Sequence, residues 1–390
     1  MYPKISDLIN SLLGTDINLP IQSYGFMVAL SFIVAGLFVM LELKRKEREG
    51  LLQPTKKKVV KGLPASKSEI ITSAIVSFFI GLKLVGMFFN YSFFANNPQD
   101  YLLSWEGSYL GGIAFAIGSA FLTYWSKEKE KLPQAVTEEV IVHPYQLTGN
   151  IVFVAAIAGI AGAKLFDVIE HLDELFTDPI GTLFSFSGLA FYGGLIVAAI
   201  TVVIYAKKNN ISFVHIADTV APALMIAYAI GRIGCQISGD GCWGVPNLEP
   251  KPEWLGFLPD WMWAFDYPHN VINEGVPIPN CAGSHCHVLE QPVFPTPLYE
   301  TSLATLFFLV LWFIRKHIKL AGVLFGIYLL LNGLERFIIE KIRVNIQYDL
   351  IAGIKATQAE MIAIGLMVFG LSLIAWLYFK NKQKNKLHGL

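Results

Sequence analysis

The first long apolar stretch of the chain reads Tyr24-Gly-Phe-Met-Val-Ala-Leu-Ser-Phe-Ile-Val-Ala-Gly-Leu-Phe-Val-Met-Leu41, and the basic run Lys44-Arg45-Lys46 follows it closely. A helix that crosses a membrane needs roughly 20 mostly apolar residues, and this stretch with its neighbours supplies them. Eight further stretches have the same character. The sequence therefore predicts nine transmembrane helices, at residues 22–42, 69–90, 108–126, 149–169, 187–206, 212–234, 298–314, 321–340 and 358–379.

The composition agrees with this fold class and excludes others. The 390 residues are 54% hydrophobic and 15% charged, whereas a soluble domain is about 25% charged. A chain this apolar has ample surface to bury, which excludes disorder, and 30 basic residues against 30 acidic ones leave no excess for nucleic acid. Transmembrane barrels lack long apolar runs. We expect an all-α polytopic membrane protein.

The basic residues predict the orientation. Most of the lysines and arginines follow the first, third, fifth, seventh and ninth spans, with the largest group between Lys44 and Lys67. Because basic loops stay in the cytoplasm, the N-terminus is predicted outside and the C-terminus inside. No cleavable signal peptide is expected, since the first residues lack a basic head followed by an apolar core.

An internal repeat predicts an inserted helical hairpin. Gly81-Leu-Lys-Leu-Val, followed by Leu110-Gly-Gly112, recurs 81 residues later as Gly162-Ala-Lys-Leu-Phe, followed by Tyr192-Gly-Gly194. Either spans two and three duplicate spans four and five, or two apolar sequences are similar by chance. The predicted regions are 1–68, the first span and a basic loop; 69–148, the inserted hairpin and a cytoplasmic loop; 149–235, spans four to six; 236–297, one large external loop; and 298–390, the last three spans and a basic tail.

The external loop is rich in aromatic residues. It holds four of the eight tryptophans, including those of the run Trp254-Leu-Gly-Phe-Leu-Pro-Asp-Trp-Met-Trp-Ala-Phe265. Such side chains are stable at the headgroup boundary of a membrane. The alternative is a packed cap that does not touch lipid.

Charged side chains cluster near the predicted outer ends of several spans, where each one is costly and therefore a candidate for function. Arg336 and Glu340 lie one helical turn apart and can form an ion pair. Arginines that meet near one membrane face predict a phosphate site, because guanidinium binds phosphate through two hydrogen bonds. The alternative is that these charges only join helices. The charged residues concerned are Lys164, Asp167, Arg232, Glu300, Arg336, Glu340 and Arg343.

Six motifs around these residues resemble, in the same order, those of the prolipoprotein diacylglyceryl transferase family. The longest is Gly231-Arg-Ile-Gly-Cys-Gln-Ile-Ser-Gly-Asp-Gly-Cys-Trp-Gly244, which is similar to the family signature Gly-Arg-Ile-Gly-Asn-Phe-x-Asn-Gly-Glu-x-Trp-Gly. The resemblance covers residues 20–45 and 149–380. The other five motifs are Tyr24-Gly25-x-Met27, Phe191-Tyr-Gly-Gly-Leu195, Ala217-Asp218-x-x-Ala221-Pro222, Pro295-Thr-Pro-Leu-Tyr-Glu300 and Arg336-Phe-Ile-Ile-Glu340-x-x-Arg343.

The resemblance implies an activity. Members of this family transfer the diacylglyceryl group of phosphatidylglycerol to the lipobox cysteine of a prolipoprotein, at the outer face of the bacterial cytoplasmic membrane. It implies phosphatidylglycerol, the prolipoprotein signal peptide and membrane lipid as partners, and no metal or soluble cofactor. Its implied catalytic residues are Arg232, Arg336, Glu340, Tyr192 and Tyr24. Its implied substrate-binding residues are Gly193, Gly194, Cys235, Ser238, Asp240, Gly244, Glu300, Arg343 and Lys164.

The sequence departs from the family pattern at several polar positions. The family's histidine before Gly-Gly is Tyr192, and the asparagine after Gly-Arg-Ile-Gly is Cys235. The later asparagine and glutamate are Ser238 and Asp240, and a second histidine is Phe294. The phosphate-binding arginines are thus kept while groups suited to proton transfer are changed. Two functions follow: a diacylglyceryl transferase, or a non-catalytic relative that binds phospholipid headgroups as a scaffold or as a subunit of a membrane assembly.

All four cysteines lie in or beside the external loop. An even number of cysteines in an oxidising compartment favours disulfides, and we expect Cys242 to pair with Cys281 or Cys286. Metal binding by Cys281, His285, Cys286 and His287 is an alternative, although the spacing is not a known zinc pattern. Cys235 is either a free buried thiol or a reactive group.

Overall fold

The computed structural model describes residues 1–96, 98–184, 190–281, 283–349 and 355–388. Within them the protein is mostly helical, which confirms the expected all-α class. The first three residues of the predicted span 187–206 lie outside the described residues. The helices are α1 Ile5–Leu13, α2 Ser23–Arg48, α3 Lys67–Phe89, α4 Tyr91–Asn96, α5 Pro98–Leu103, α6 Tyr109–Glu130, α7 Thr148–Glu170, α8 Leu172–Thr177, α9 Pro179–Phe184, α10 Phe191–Lys208, α11 Phe213–Ser238, α12 Thr296–Ile314, α13 Val323–Glu340 and α14 Gln358–His388.

Among the described residues, short strands form three two-stranded antiparallel sheets outside these helices. They pair β1 with β2, β3 with β4, and β5 with β6. Single 3-10 turns cover Pro144–Leu147, Glu253–Leu255 and Asp260–Met262. The strands are β1 Thr55–Lys61, β2 Val136–Val142, β3 Val276–Pro277, β4 His287–Val288, β5 Gln347–Asp349 and β6 Lys355–Thr357.

A long helix lies at each of the nine predicted spans. Seven of them are long and apolar enough to cross a membrane: α2, α3, α7, α10, α11, α12 and α14. The other two are α13, which carries three charged residues among its 18, and α6, in which glycine, serine and tyrosine dilute the apolar residues. The protein is therefore a polytopic membrane protein. The count of nine spans and their orientation stay predictions.

Contacts at both ends of the helix bundle show which helices run in opposite directions. The Arg315 Nε after α12 is 2.9 Å from a carboxylate oxygen of Glu42 near the end of α2. Asp218, near the start of α11, accepts a hydrogen bond of 2.7 Å from the Gly322 amide just before α13. At the opposite end Gly234, late in α11, packs against the first turn of α2. Hence α2 and α12 run one way, and α11 and α13 run the other.

Helix α11 lies at the centre of the bundle. Half of its apolar segment is buried, the largest share among the seven apolar helices. One side of α11 packs against α2 and α10, through residues such as Ile216 and Leu43. The other side packs against α12 and α13 through Met225, Ala304 and Leu324. Residues at the end of α11 are thereby held in fixed positions relative to both neighbouring groups of helices.

The predicted duplication has a counterpart in helix packing. A Cβ atom placed on Gly81 of α3 would lie 2.6 Å from the Gly111 oxygen of α6, and one on Gly162 of α7 would lie 2.7 Å from the Gly193 oxygen of α10. The two short helices after α3, α4 and α5, also recur after α7 as α8 and α9 with the same 81-residue offset. This correspondence supports the predicted duplication.

The cysteine pairing expected from the sequence is wrong. The disulfide joins Cys281 to Cys286, five residues apart in the loop between β3 and β4. Cys242 is free, as is the buried Cys235, and the sulfur atoms of these two lie within 4.8 Å of each other. Since the disulfide uses both of its sulfur atoms, Cys281 and Cys286 offer no thiolate to a metal.

The external loop is packed in one part and exposed in another. Trp243, Tyr267, Leu289 and Val293 form a buried cluster, so this part is a packed cap. Trp254, in contrast, is 74% exposed. The exposed part keeps the aromatic surface that suits a headgroup boundary.

We expect Gly162→Ala to destabilise the protein, because the added Cβ would lie 2.5 Å from the Val197 Cβ. Overpacking of this kind costs about 1–3 kcal/mol. The thermal unfolding midpoint in detergent measures the change. Gly149→Ala in the same helix is the matched control, since no described residue lies within 4 Å of a Cβ placed on Gly149. Equal midpoints for the two variants would contradict the close packing of α7 on α10.

Candidate active site

A buried carboxylate joins two arginines at one end of the bundle. Glu300, in the first turns of α12, is 0% exposed. The Arg232 guanidinium of α11 forms an ion pair with Glu300 Oε2, and the Arg343 Nη1 lies 3.1 Å from Glu300 Oε1. Each carboxylate oxygen thus meets one cation, as a buried charge requires.

Two further polar residues of this site were missed by the sequence analysis. The Tyr228 hydroxyl donates a hydrogen bond of 2.6 Å to Glu300 Oε2 and lies 3.3 Å from Glu335 Oε1. The Arg232 guanidinium lies over the Tyr228 ring, 5.1 Å from its centre. Glu335 is an ionisable residue inside a predicted span, so the rule that singled out Arg336 could have found it. A tyrosine in an apolar helix gives no such signal.

The predicted ion pair on α13 is present. The Arg336 Nη2 lies 2.9 Å from Glu340 Oε2. The other oxygen of Glu340 accepts a hydrogen bond of 2.6 Å from Asn345, so the loop after α13 is tied to the same carboxylate. Arg336 is thereby held near the end of α13, at the same end of the bundle as Arg232.

Tyr228 lies between the surroundings of the two arginines. Its hydroxyl is 3.3 Å from Oε1 of the buried Glu335, the residue before Arg336 in α13, and its ring lies under the Arg232 guanidinium. Arg232 and Arg336 are thus linked through Tyr228 and Glu335. Their side chains are not sealed from the surroundings, because 18% of Arg232 and 24% of Arg336 is exposed. Together with Arg343, they make one cationic region that an anionic group could reach.

The external loop fixes Arg343 through backbone contacts that need a glycine. The Gly244 amide donates to the Phe294 oxygen at 2.9 Å, and the Val245 amide donates to the Ile342 oxygen at 2.8 Å. A Cβ on Gly244 would lie 2.9 Å from Thr296 Cγ2. Because Gly244 has no side chain, the loop can lie close to both Phe294 and Ile342, the segments before α12 and after α13.

Two glycines with left-handed backbone conformations reverse the chain after α11. Gly239 has φ of 65° and Gly241 has φ of 86°, values that favour glycine because it has no Cβ. Ser238 ends the helix, and its buried hydroxyl donates to the Gly234 oxygen at 2.8 Å. The reversal turns the next residues back toward the last turn of α11.

This reversal produces a sulfur–carboxylate cluster formed by Cys235, Asp240 and Cys242. One donor atom of each residue lies within 4.8 Å of the others, and the Cys242 amide donates to Asp240 Oδ1 at 3.2 Å. The Arg232 Nη1 is 3.9 Å from the Cys235 sulfur. Two of the positions that depart from the family pattern, Cys235 and Asp240, therefore lie side by side next to Arg232.

Tyr24 also belongs to this part of the site. It lies at the start of α2, against Gly234 of α11, the residue before Cys235. Further into the external loop, burial raises the pKa of Tyr267, so its hydroxyl stays neutral and donates to Gln236 at 2.8 Å. The end of α11 is thus enclosed on two sides.

The remaining predicted site residues lie on α7 and α10. Gly193 and Gly194 provide close packing against Gly162 and Gly159 of α7. The Lys164 Nζ is 3.0 Å from Asp167 Oδ2. Tyr192 has an edge contact with its neighbour Phe191, and within the part of the chain that the structure describes no hydrogen bond joins it to the arginines. Their catalytic and binding roles stay predictions.

The site and the fold define a polytopic membrane protein that holds a buried arginine–glutamate centre at one end of its bundle. The sequence profile of the family described as prolipoprotein diacylglyceryl transferase matches residues 132–376. The chain belongs to this family of transferases. Its membership and the seven apolar helices make it a multi-pass protein of the bacterial inner membrane.

Several relatives with the name phosphatidylglycerol–prolipoprotein diacylglyceryl transferase are 28–30% identical to this chain over the aligned residues. The protein of Leptospira interrogans serovar copenhageni is 30% identical over 210 residues, 48% of this chain and 58% of the relative. That of Vibrio vulnificus strain CMCP6 is 28% identical over 302 residues, 76% and 94% of the two chains. That of Methylococcus capsulatus is 29% identical over 276 residues, 69% and 91%. The chain thus spans less than two thirds of the Leptospira relative.

We expect Glu300→Gln to lower the thermal unfolding midpoint strongly, because it leaves Arg232 and Arg343 without their shared negative charge. Removing one partner of a buried ion pair costs about 3–5 kcal/mol. Glu138→Gln is the matched control, since Glu138 pairs with Lys61 at a site where both side chains are about half exposed. That exposed pair contributes at most about 1 kcal/mol. Similar losses for both variants would refute the central role of Glu300.

Proposed function

We propose that this protein transfers the diacylglyceryl group of phosphatidylglycerol to the lipobox cysteine of a prolipoprotein, at the outer face of the cytoplasmic membrane. The observation that carries the proposal is the cationic region of Arg232, Arg336 and Arg343 around buried glutamates. It lies at the bundle end that the basic loops predict to be outside. The names of the relatives support the choice of lipid and acceptor.

The chemistry of the transfer needs fixed positive charge. The acceptor sulfur forms a bond to the glyceryl carbon while the bond from that carbon to the phosphodiester oxygen breaks, and glycerol phosphate leaves. Negative charge develops on the leaving phosphate, where preorganised donors lower the barrier most. Arg232 and Arg336 suit this role, because guanidinium stays charged in a dry setting.

The glutamates suit a role in positioning. Glu300 and Glu340 hold the arginines in place before the lipid binds, so the protein need not reorganise them during the reaction. Arg343 would contact the same headgroup from the loop side. The acceptor must react as thiolate, so a group in the site must stabilise the deprotonated sulfur.

We expect Arg232→Ala and Arg336→Ala each to lower the rate of transfer by about 100-fold or more, as loss of one charge-stabilising donor does. The measurement is attachment of labelled diacylglycerol to a lipobox peptide by the purified protein in phosphatidylglycerol vesicles. Rescue of a bacterium depleted of its own transferase is the test in cells. Arg48→Ala, in the exposed last turn of α2, is the control and should leave the rate unchanged.

The same experiment separates the two functions considered for the chain. A parent protein that binds phosphatidylglycerol but transfers nothing to any lipobox peptide would refute the transferase. That result would favour the lipid-binding scaffold or assembly subunit. Loss of transfer in the Arg48→Ala control as well would show that folding, and not the cationic region, accounts for the losses.

A further inference from the structure

The spacing of the sulfur–carboxylate cluster is that of a metal site. Two cysteine sulfurs and one carboxylate oxygen lie within 4.8 Å of one another. Zinc binds thiolate at about 2.3 Å and carboxylate at about 2.0–2.2 Å in tetrahedral geometry, so its ligand atoms lie within this mutual range. The donor set also suits the ion, since thiolates favour zinc over magnesium or calcium.

The state of the cysteines supports the same conclusion. Cys281 and Cys286 form a disulfide, while Cys235 and Cys242 remain free although their sulfurs lie within 4.8 Å of each other. The fold therefore places Cys235 and Cys242 close together without a disulfide bond between them. Thiols in this arrangement are suited to share an ion.

The surrounding charge is balanced by such an ion. Two thiolates and the Asp240 carboxylate carry three negative charges, of which a divalent cation compensates two. Arg232 and Arg343 share the single negative charge of Glu300, so these three side chains together supply the remaining positive charge. Arg232 Nη1 lies 3.9 Å from the Cys235 sulfur, close enough to compensate the charge that the ion leaves.

The cluster is also open on one side. Cys235 is buried, whereas Asp240 and Cys242 are partly exposed. Zinc sites that act in catalysis have three protein ligands and keep the fourth position for water or substrate. The cluster supplies three ligands and an accessible side.

We propose that Cys235, Asp240 and Cys242 bind a zinc-class divalent ion whose fourth position takes the acceptor thiol. The role in transfer rests on the proposed function, whereas the metal site itself does not. It differs from the expectation, drawn from the family, that no metal takes part. A thiol that coordinates such an ion is deprotonated, which provides the thiolate that the family's changed histidine and asparagine positions no longer help to form.

The proposed step is balanced. The acceptor thiol binds the ion and releases its proton to water. Its sulfur then attacks the glyceryl carbon of phosphatidylglycerol, and the carbon–sulfur bond forms as the carbon–oxygen bond breaks. The electron pair of the broken bond leaves on the phosphate oxygen of glycerol phosphate, beside Arg232 and Arg336.

The binding test uses the full chain with Cys281→Ser and Cys286→Ser, purified without a metal-binding tag. Only Cys235 and Cys242 remain as thiols, because the chain has four cysteines. We expect about one Zn²⁺ per chain by elemental analysis, and a sulfur-to-cobalt charge-transfer band when Co²⁺ replaces it. Protection of both thiols from alkylation by Zn²⁺ is the second readout.

Variants test the ligands one at a time. Cys235→Ser and Cys242→Ser should abolish the cobalt band, and Asp240→Asn should weaken Zn²⁺ binding about tenfold or more. Asp266→Asn, in the same loop but outside the cluster, is the control and should bind normally. A folded parent protein that holds no more Zn²⁺ than Cys235→Ser, or in which Cys235 and Cys242 form a disulfide, would overturn the metal site.

A separate experiment tests whether the ion takes part in diacylglyceryl transfer. Removing the ion with a chelator should abolish diacylglyceryl transfer, and Zn²⁺ should restore it. Transfer at the parent rate by the metal-free protein would refute this role and leave the proposed function intact. Zn²⁺ binding without transfer to any lipobox peptide would instead refute the proposed function and leave the metal site.

Discussion

The burial of the Glu300 carboxylate is the constraint on which the rest of the site depends. An ionised carboxylate inside an apolar bundle is stable only if cations meet it closely. Its partners come from the end of α11 and from the segment after α13. This requirement brings three separate parts of the chain to one point and sets the relative positions of Arg232 and Arg343.

The site therefore has two adjoining halves that share Arg232. One half is cationic, and its arginines match the family motifs. The other half is the sulfur–carboxylate cluster, in which Cys235 and Asp240 depart from those motifs. The differences are related, because Cys235 and Asp240 meet Cys242 within 4.8 Å. Changes that bring two thiols and a carboxylate together favour the gain of a new arrangement, such as the proposed metal site, over the simple loss of an old one.

The sequence predicted the all-α membrane fold and the positions of the long helices, because both depend on local composition. Long apolar runs specify helices wherever they occur, and Arg232, Glu300 and Arg336 are conspicuous inside them. The residues that it failed to predict depend on long-range contacts. Tyr228 acts only through its place beside Glu300, and the Cys281–Cys286 pairing depends on a short loop between two strands. Tyr192 matched a family motif, yet α10 packs on α7 through the glycines next to it.

The small sheet of β1 and β2 explains how a bundle could acquire an additional pair of helices. Lys61, the last residue of β1, pairs with Val136, the first residue of β2. The segment that contains α3–α6 therefore begins and ends at neighbouring positions, about 4.8 Å apart. The ends of this segment are thus as close together as the ends of a tight turn, so its presence need not change the arrangement of the other helices. A splice that joins the two strands with a two-residue turn would preserve their register, and the same position would accept a foreign domain whose termini are adjacent.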